Sequence, residues 1–158
     1  MKDYVLLHNS EFYSHSNIHE RMSIVINAPQ QNVINIYNDF ENWNKLFPAT
    51  IKGAHLIKEE NSIQTVEIDR KKSGKAINVL NPVSANEIEL EEQRPAYNAI
   101  FLHRFERIPN GTMYIIEVYI FFKGIFKITT PFIDGFVCKR LKKKFLKPIK
   151  EFAENYSE

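Results

Sequence analysis

The sequence is short of the residues that build many redox, phosphate and metal sites. Its single cysteine, Cys138, excludes an intrachain disulfide and cannot form a thiolate metal site alone. Five glycines among 158 residues leave no glycine-rich loop to cradle a phosphate, and no CxxC or HExxH motif is present. The five histidines do not have the close spacing in sequence that is typical of metal ligands; they are His8, His15, His19, His55 and His103. We therefore expect no metal and no cofactor.

Long apolar runs are missing as well. No uninterrupted run approaches the roughly 20 residues that a membrane-spanning helix needs. The first apolar stretch, Tyr4–Leu7, is too short for a signal peptide. We therefore expect a soluble, cytoplasmic protein. Positive and negative charges nearly balance, with a net charge of +2. Residues 139–150, however, include several basic residues and no acidic one.

Aromatic residues, by contrast, are abundant, with twelve Phe and seven Tyr. A chain of this length fits one domain that buries roughly 68–70% of the surface exposed when unfolded. Residues 1–17 have no steady periodicity, so we interpret them as an N-terminal extension. Residues 18–158 are predicted to form a single domain.

The domain opens with an apolar strand that runs into a helix. The strand covers about residues 18–27, and Pro29 suits the first helical position because its missing N–H would be unpaired there. Apolar residues follow at i, i+3, i+4 and i+7, namely Val33, Ile36, Tyr37 and Phe40. A second short helix contains Trp43 and ends at Pro48.

The middle of the chain alternates between apolar and polar residues with period two, which indicates antiparallel strands. The separators include Asn81-Pro82, predicted to be a turn, and Asn110-Gly111, a strong hairpin signal. The six predicted strands are residues 52–59, 63–71, 75–80, 85–92, 98–108 and 112–123.

A long helix is predicted at the end of the chain. Pro131 suits its first turn, and the helix is expected to continue to about Asn155. Pro148 should bend it, because proline removes a backbone donor and clashes with the preceding turn. Its apolar positions recur every three or four residues: Ile133, Val137, Leu141, Phe145, Ile149, Phe152 and Tyr156.

The element order predicts an α+β helix-grip fold, with a seven-stranded antiparallel sheet wrapped around the long C-terminal helix and two short helices after the first strand. This order, together with Ile24–Pro29 and Trp43–Pro48, resembles the START-like (SRPBCC) superfamily. Residues 55–57 and 65–68 are similar to its coenzyme Q-binding branch and equally to its polyketide cyclase or dehydrase branch. The resemblance implies an apolar ligand cavity between the sheet and the C-terminal helix.

Strand alternation predicts which side chains face that cavity. In the fifth and sixth predicted middle strands, the faces that carry His103 and Tyr114 are expected inside, whereas the face of Leu102, Arg104 and Glu106 looks more solvated. The predicted ligand-binding residues are Trp43, Val66, Ile68, Arg70, Phe101, His103, Phe105, Tyr114, Ile116, Phe132 and Phe136.

Three of these residues are polar, as expected of an apolar pocket with a few placed polar groups. His103 and Tyr114 are the candidate catalytic residues, since a histidine can act as a general acid or base near neutral pH. The alternative is that both are core residues with satisfied hydrogen bonds and that Arg70 reaches water.

Three functions fit these patterns. The first is binding, and transport, of a hydrophobic or lipid-like small molecule, with no turnover. The second is a polyketide cyclase or aromatase-type reaction on an aromatic or polyketide substrate, although no motif matches a particular cyclase. The third is an interaction module whose basic C-terminal helix contacts a membrane surface or a ribosome.

The basic helix carries a cationic stripe at i, i+4, i+8 and i+11, formed by Lys139, Lys143, Lys147 and Lys150. Such a stripe can attract an anionic membrane, and the alternative is an ordinary solvated face. No specific nucleic-acid partner is expected, because stacking aromatics are not interleaved with the lysines. The outward face of strand 112–123 is apolar, which predicts either a homodimer or cover by the N-terminal segment.

Overall fold

The fold is described from a computed structural model, which covers residues 6–129 and 135–155. Its sheet has seven strands in the order β1-β7-β6-β5-β4-β3-β2, and every neighbouring pair is antiparallel. This confirms the predicted sheet. The strands are β1 (Ile18–Ile26), β2 (Ile51–Glu60), β3 (Ile63–Arg70), β4 (Gly74–Ser84), β5 (Glu87–Gln93), β6 (Tyr97–Ile108) and β7 (Gly111–Phe122).

The helices are short except at the C-terminal end. After α1 (Ser10–Ser14), the connection from β1 to β2 contains α2 (Gln30–Asn38), a 3-10 turn (Phe40–Asn42) and α3 (Trp43–Leu46). Another 3-10 turn, Gly124–Thr129, follows β7. The C-terminal helix has three consecutive parts: α-helical Phe136–Leu141, π-helical Lys142–Leu146 and α-helical Lys147–Asn155. The predicted helix start at Pro131 lies outside the described residues.

Two proline positions differ from their predictions. Pro29 is the N-cap of α2 rather than its first helical residue, because its ψ of 141° is extended. Asn81-Pro82 is not a turn, since β4 continues to Ser84 and Pro82 pairs with Ile88. A register shift between Pro82 and Ser84 accommodates the missing N–H, as expected for proline at a bulge.

Pro148 follows the π-helical part of the C-terminal helix. A proline ring clashes with the carbonyl four residues earlier, which here belongs to Lys144 in the π-helical turn. The wider turn changes the hydrogen-bond pattern directly before the proline. The helix is therefore irregular where the sequence predicts a distortion.

The predicted Asn-Gly hairpin joins β6 and β7, and Ile108 pairs with Gly111. Gly111 has φ of +143°, and a Cβ there would lie 2.1 Å from the carbonyl oxygen of Ile26. Both facts require glycine at this position.

The inner face of the sheet packs against α2, α3 and the C-terminal helix to form the main core. The outer face has a smaller apolar cluster in which Tyr13 of α1 packs with Ile100 and Leu102. Leu102 is therefore buried, contrary to the expectation of a solvated face, because the N-terminal segment covers it. Tyr119 and Phe121 also pack against this cluster, so residues 6–17 supply cover for the outer face.

Candidate ligand cavity

A cavity of about 420 Å³ lies between the inner face of the sheet and the C-terminal helix. The interiors of proteins are close-packed and contain few voids larger than a water molecule, so a space of this size is a specific feature of the fold. Its wall is mostly apolar, and its apolar residues from β5, β6 and β7 are Leu90, Ala99, Phe101, Ile116, Val118, Ile120 and Phe122.

The cavity opens to solvent between three segments. These are the residues after α3, the turn between β3 and β4, and one side of the C-terminal helix. All of the wall residues listed above except Phe101 are buried, whereas the residues at this mouth are exposed or half-buried: Ala49, Thr50, Lys72, Ser73, Phe136, Arg140 and Lys144.

His103 and Tyr114 form a buried polar pair in the cavity wall. Nδ1 of His103 lies 2.7 Å from the hydroxyl oxygen of Tyr114, which forms one hydrogen bond between them. The ring of Tyr37 lies 4.6 Å from the imidazole, and Trp43 donates a hydrogen bond to the carbonyl oxygen of Tyr37. The second imidazole nitrogen, Nε2, and the Tyr37 hydroxyl are buried without a partner among the described residues. The sequence pattern did not identify Tyr37 as a cavity residue.

Burial keeps this pair uncharged. It lowers the pKa of His103 to about 3, so the imidazole is neutral at pH 7. Burial also raises the pKa of Tyr114 and of Tyr37 well above the usual tyrosine value. A neutral imidazole of such low basicity takes up a proton poorly, and it serves better as a hydrogen-bonding group than as a general base.

A second polar cluster surrounds Glu92, which is 3% exposed. Arg70 contacts one carboxylate oxygen through Nη2, while Arg94 Nε and the Tyr97 hydroxyl lie 3.2 Å from the other. The guanidinium of Arg70 also lies 5.6 Å from the ring centroid of Phe145 in the C-terminal helix. Two cations therefore share one buried carboxylate beside the mouth.

Glu92 is, like Tyr37, a cavity residue that the sequence pattern did not identify. It follows Ile88 and Leu90 with period two, and both are buried on the inner face. The same alternation that identified His103 could have placed this carboxylate inside. The run of glutamates in this strand concealed it, because acidic runs usually face solvent.

The predicted ligand-binding residues fall into three groups. The cavity is lined by Trp43, Arg70, Phe101, His103, Tyr114, Ile116 and Phe136. Val66, Ile68 and Phe105 are instead fully buried core residues outside its lining. Phe132 lies outside the described residues.

The predicted lysine stripe is shorter than expected. Lys139, Lys143 and Lys147 are exposed, but Lys150 donates a hydrogen bond to the carbonyl oxygen of Val25 at 2.7 Å and pairs with Glu154. Two other basic residues of the helix, Arg140 and Lys144, line the cavity mouth.

The described residues contain no group of three or more His, Cys, Asp and Glu side chains arranged to hold a metal ion. None of the helices in the described part of the chain has the length and apolar character required to cross a bilayer.

Solved structures define the class of this fold. An aromatase/cyclase, Zhui from Streptomyces sp. R1128, is 13% identical, with a TM-score of 0.72 over 89% of this chain and 96% of that chain. A STAR-related lipid transfer protein from Xanthomonas axonopodis is 11% identical, with a TM-score of 0.66 over 87% of each chain. The chain has the START-like helix-grip fold.

A third solved structure, a START superfamily protein from Mycobacterium smegmatis, is 16% identical with a TM-score of 0.64, and the match covers 88% of this chain and 96% of that chain. No protein-family model and no curated protein matches the sequence. Identities this low establish the fold and leave the ligand open.

Proposed function

We propose that this protein binds a hydrophobic small molecule in the cavity between its sheet and its C-terminal helix and carries it without turnover. The observation that supports the proposal most directly is the open cavity of about 420 Å³ with an apolar wall. Small-molecule sites typically have volumes of about 300–1,000 Å³ and contain a few placed polar groups. The fold-level likeness to a lipid transfer protein is consistent with this role.

The polar groups in the wall favour binding over catalysis. A ligand oxygen or nitrogen can pair with Nε2 of His103, which has no partner among the described residues. Pairing there would remove the cost of an unsatisfied buried group, so the site would orient the polar end of a ligand.

The experiment is native mass spectrometry of detergent-free protein, compared with the denatured spectrum. We expect an excess mass in the native spectrum that disappears on denaturation. The variant Ala99→Phe places a ring in the cavity wall and should lose this mass, whereas Leu56→Phe changes an exposed position of β2 and should retain it. Retention by a folded Ala99→Phe protein would contradict binding in this cavity.

A second candidate, a cyclase-type enzyme, is supported by the His103–Tyr114 pair and by the fold-level likeness to an aromatase/cyclase. Under this hypothesis, Tyr114→Phe abolishes conversion of a poly-β-keto substrate and leaves its binding largely intact. The low basicity of His103 argues against this role. An interaction module with a filled interior is the weakest hypothesis, because the interior contains the cavity.

A further inference from the structure

The cavity mouth is far more cationic than its wall. Arg70 and Lys72 lie on one side of the opening, and Arg140 and Lys144 lie on the C-terminal helix across from them. None of Lys72, Arg140 and Lys144 forms a salt bridge within the described part of the chain. Three free positive charges therefore surround the entrance to an apolar space.

The one acidic residue among the described lining residues does not neutralise them. Glu92 already contacts both Arg70 and Arg94, so its charge is more than compensated before the other cations are counted. The Nε–H of Arg70 is buried and lacks a partner among the described residues. The site thus has an unused donor as well as an excess of positive charge.

The cations at the mouth are close enough to repel one another. The positive charge of Arg140, and to a smaller extent that of Lys72, lowers the pKa of Lys144. Bringing like charges together is unfavourable, and an anion placed between them would relieve the repulsion.

We propose that the ligand is an anionic amphiphile, whose apolar chain occupies the cavity and whose carboxylate or phosphate head group is bound at the mouth by Arg70, Lys72, Arg140 and Lys144. This inference rests on the proposed function. A neutral apolar ligand would leave the cations unused, and a hydrophilic anion would leave the apolar wall uncovered. Guanidinium and ammonium groups form their strongest hydrogen bonds with carboxylate and phosphate oxygens.

The test compares three twelve-carbon probes that differ in the head group: dodecanoate, dodecyl phosphate and dodecanol. Binding is followed at pH 8 by the fluorescence of Trp43, the single tryptophan, which lines the cavity, and by calorimetry. We expect at least one anionic probe to bind about tenfold or more tightly than dodecanol. The tighter of the two anions identifies the head group.

Two double variants test whether the preference for an anionic head group arises at the cavity mouth. Arg140→Gln/Lys144→Gln should weaken binding of the anion about tenfold and change the affinity for dodecanol less than about twofold. The matched control, Lys139→Gln/Lys147→Gln, removes the same charge from exposed positions of the same helix and should leave both affinities unchanged. An equal loss in both double variants would overturn the inference, because the attraction would then come from the overall charge.

The outcomes separate this inference from the proposed function. If dodecanol binds as tightly as both anions, the anionic head group is wrong and the hydrophobic cavity remains. If no probe binds to the folded protein, the carrier function fails together with the inference.

Discussion

Strand β5 carries two buried carboxylates on opposite faces of the sheet, and their surroundings differ. Glu89 points outward, is fully buried beneath the N-terminal segment, and accepts hydrogen bonds from the Tyr13 hydroxyl and the Leu7 N–H. Glu92 points inward beside the cavity and is paired with Arg70 and Arg94. The outer carboxylate is thus bound mainly by uncharged donors and the inner one by cations.

The different partners of Glu89 and Glu92 distinguish the outer face of the sheet, which is packed, from the inner face, which borders the cavity. Tyr13, which donates to Glu89, belongs to an apolar cluster with Ile100 and Leu102 on the outer face, away from the cavity. Around Glu92, positive charge exceeds negative charge, and the excess continues to the cavity mouth. A site that binds an anion needs such an excess, whereas a covered sheet face does not.

The largest expected effect comes from Glu92→Ala. The substitution leaves the buried Arg94 and the mostly buried Arg70 without their anion, so we expect a loss of about 3–5 kcal/mol in the free energy of unfolding. Urea denaturation followed by circular dichroism measures it. The control Glu106→Ala removes an exposed carboxylate of β6 and should change stability by less than about 0.5 kcal/mol. A small loss in Glu92→Ala would show that this carboxylate is not needed to balance the arginines.

The next largest effect is a pH dependence of the free energy of unfolding, caused by His103 on the inner face. Burial lowers the pKa of His103 to about 3, below its unfolded value of about 6.5. The unfolded chain therefore binds the proton first, and the stability present above pH 6.5 is lost as the pH falls toward 3. Between pH 7.5 and pH 5 we expect a loss of about 2 kcal/mol from this residue.

The measurement is urea denaturation of the wild type and of His103→Gln at both pH values. The variant has no imidazole, so it should lack this part of the pH dependence and retain the part that comes from other groups. Identical pH dependence in the two proteins would mean that His103 is protonated in the folded state as easily as in the unfolded one.

The smallest loss in the free energy of unfolding is expected for a substitution on the outer face. Glu89→Ala removes the acceptor of the Tyr13 hydroxyl and the Leu7 N–H, and both of the donors that lose their partner are uncharged. We expect a loss of about 1–2 kcal/mol, below that of Glu92→Ala. The same denaturation experiment compares them, and a larger loss in Glu89→Ala would reverse the contrast between the two faces.

Much of the fold could be predicted from local patterns. Period-two alternation identified the six middle strands, because side chains along a strand point alternately to the two faces of the sheet. The pattern also placed His103 and Tyr114 on the inner face together. The turn predicted from Asn81-Pro82 was wrong, because the pairing of β4 with β5 tolerates a proline at a register shift.

The site could be predicted less fully, since its polar contacts join distant parts of the chain. Arg70 was identified as a cavity residue, but its partners Glu92 and Phe145 come from β5 and the C-terminal helix. Val66 and Ile68 share its strand face yet lie in the core, because alternation gives the face of a residue and not its distance from an opening. Arg140 and Lys144 look no different in the sequence from the exposed lysines beside them.

The sequence by itself determined the element order, the alternation of each strand and therefore the helix-grip fold, because these follow from short-range periodicity and turn chemistry. Only the tertiary structure decided that the N-terminal segment covers the outer face, that a cavity remains open on the inner one, and that two arginines and two lysines meet at its mouth. These features depend on which side chains from distant strands and helices come within a few ångströms of one another, and packing sets those distances.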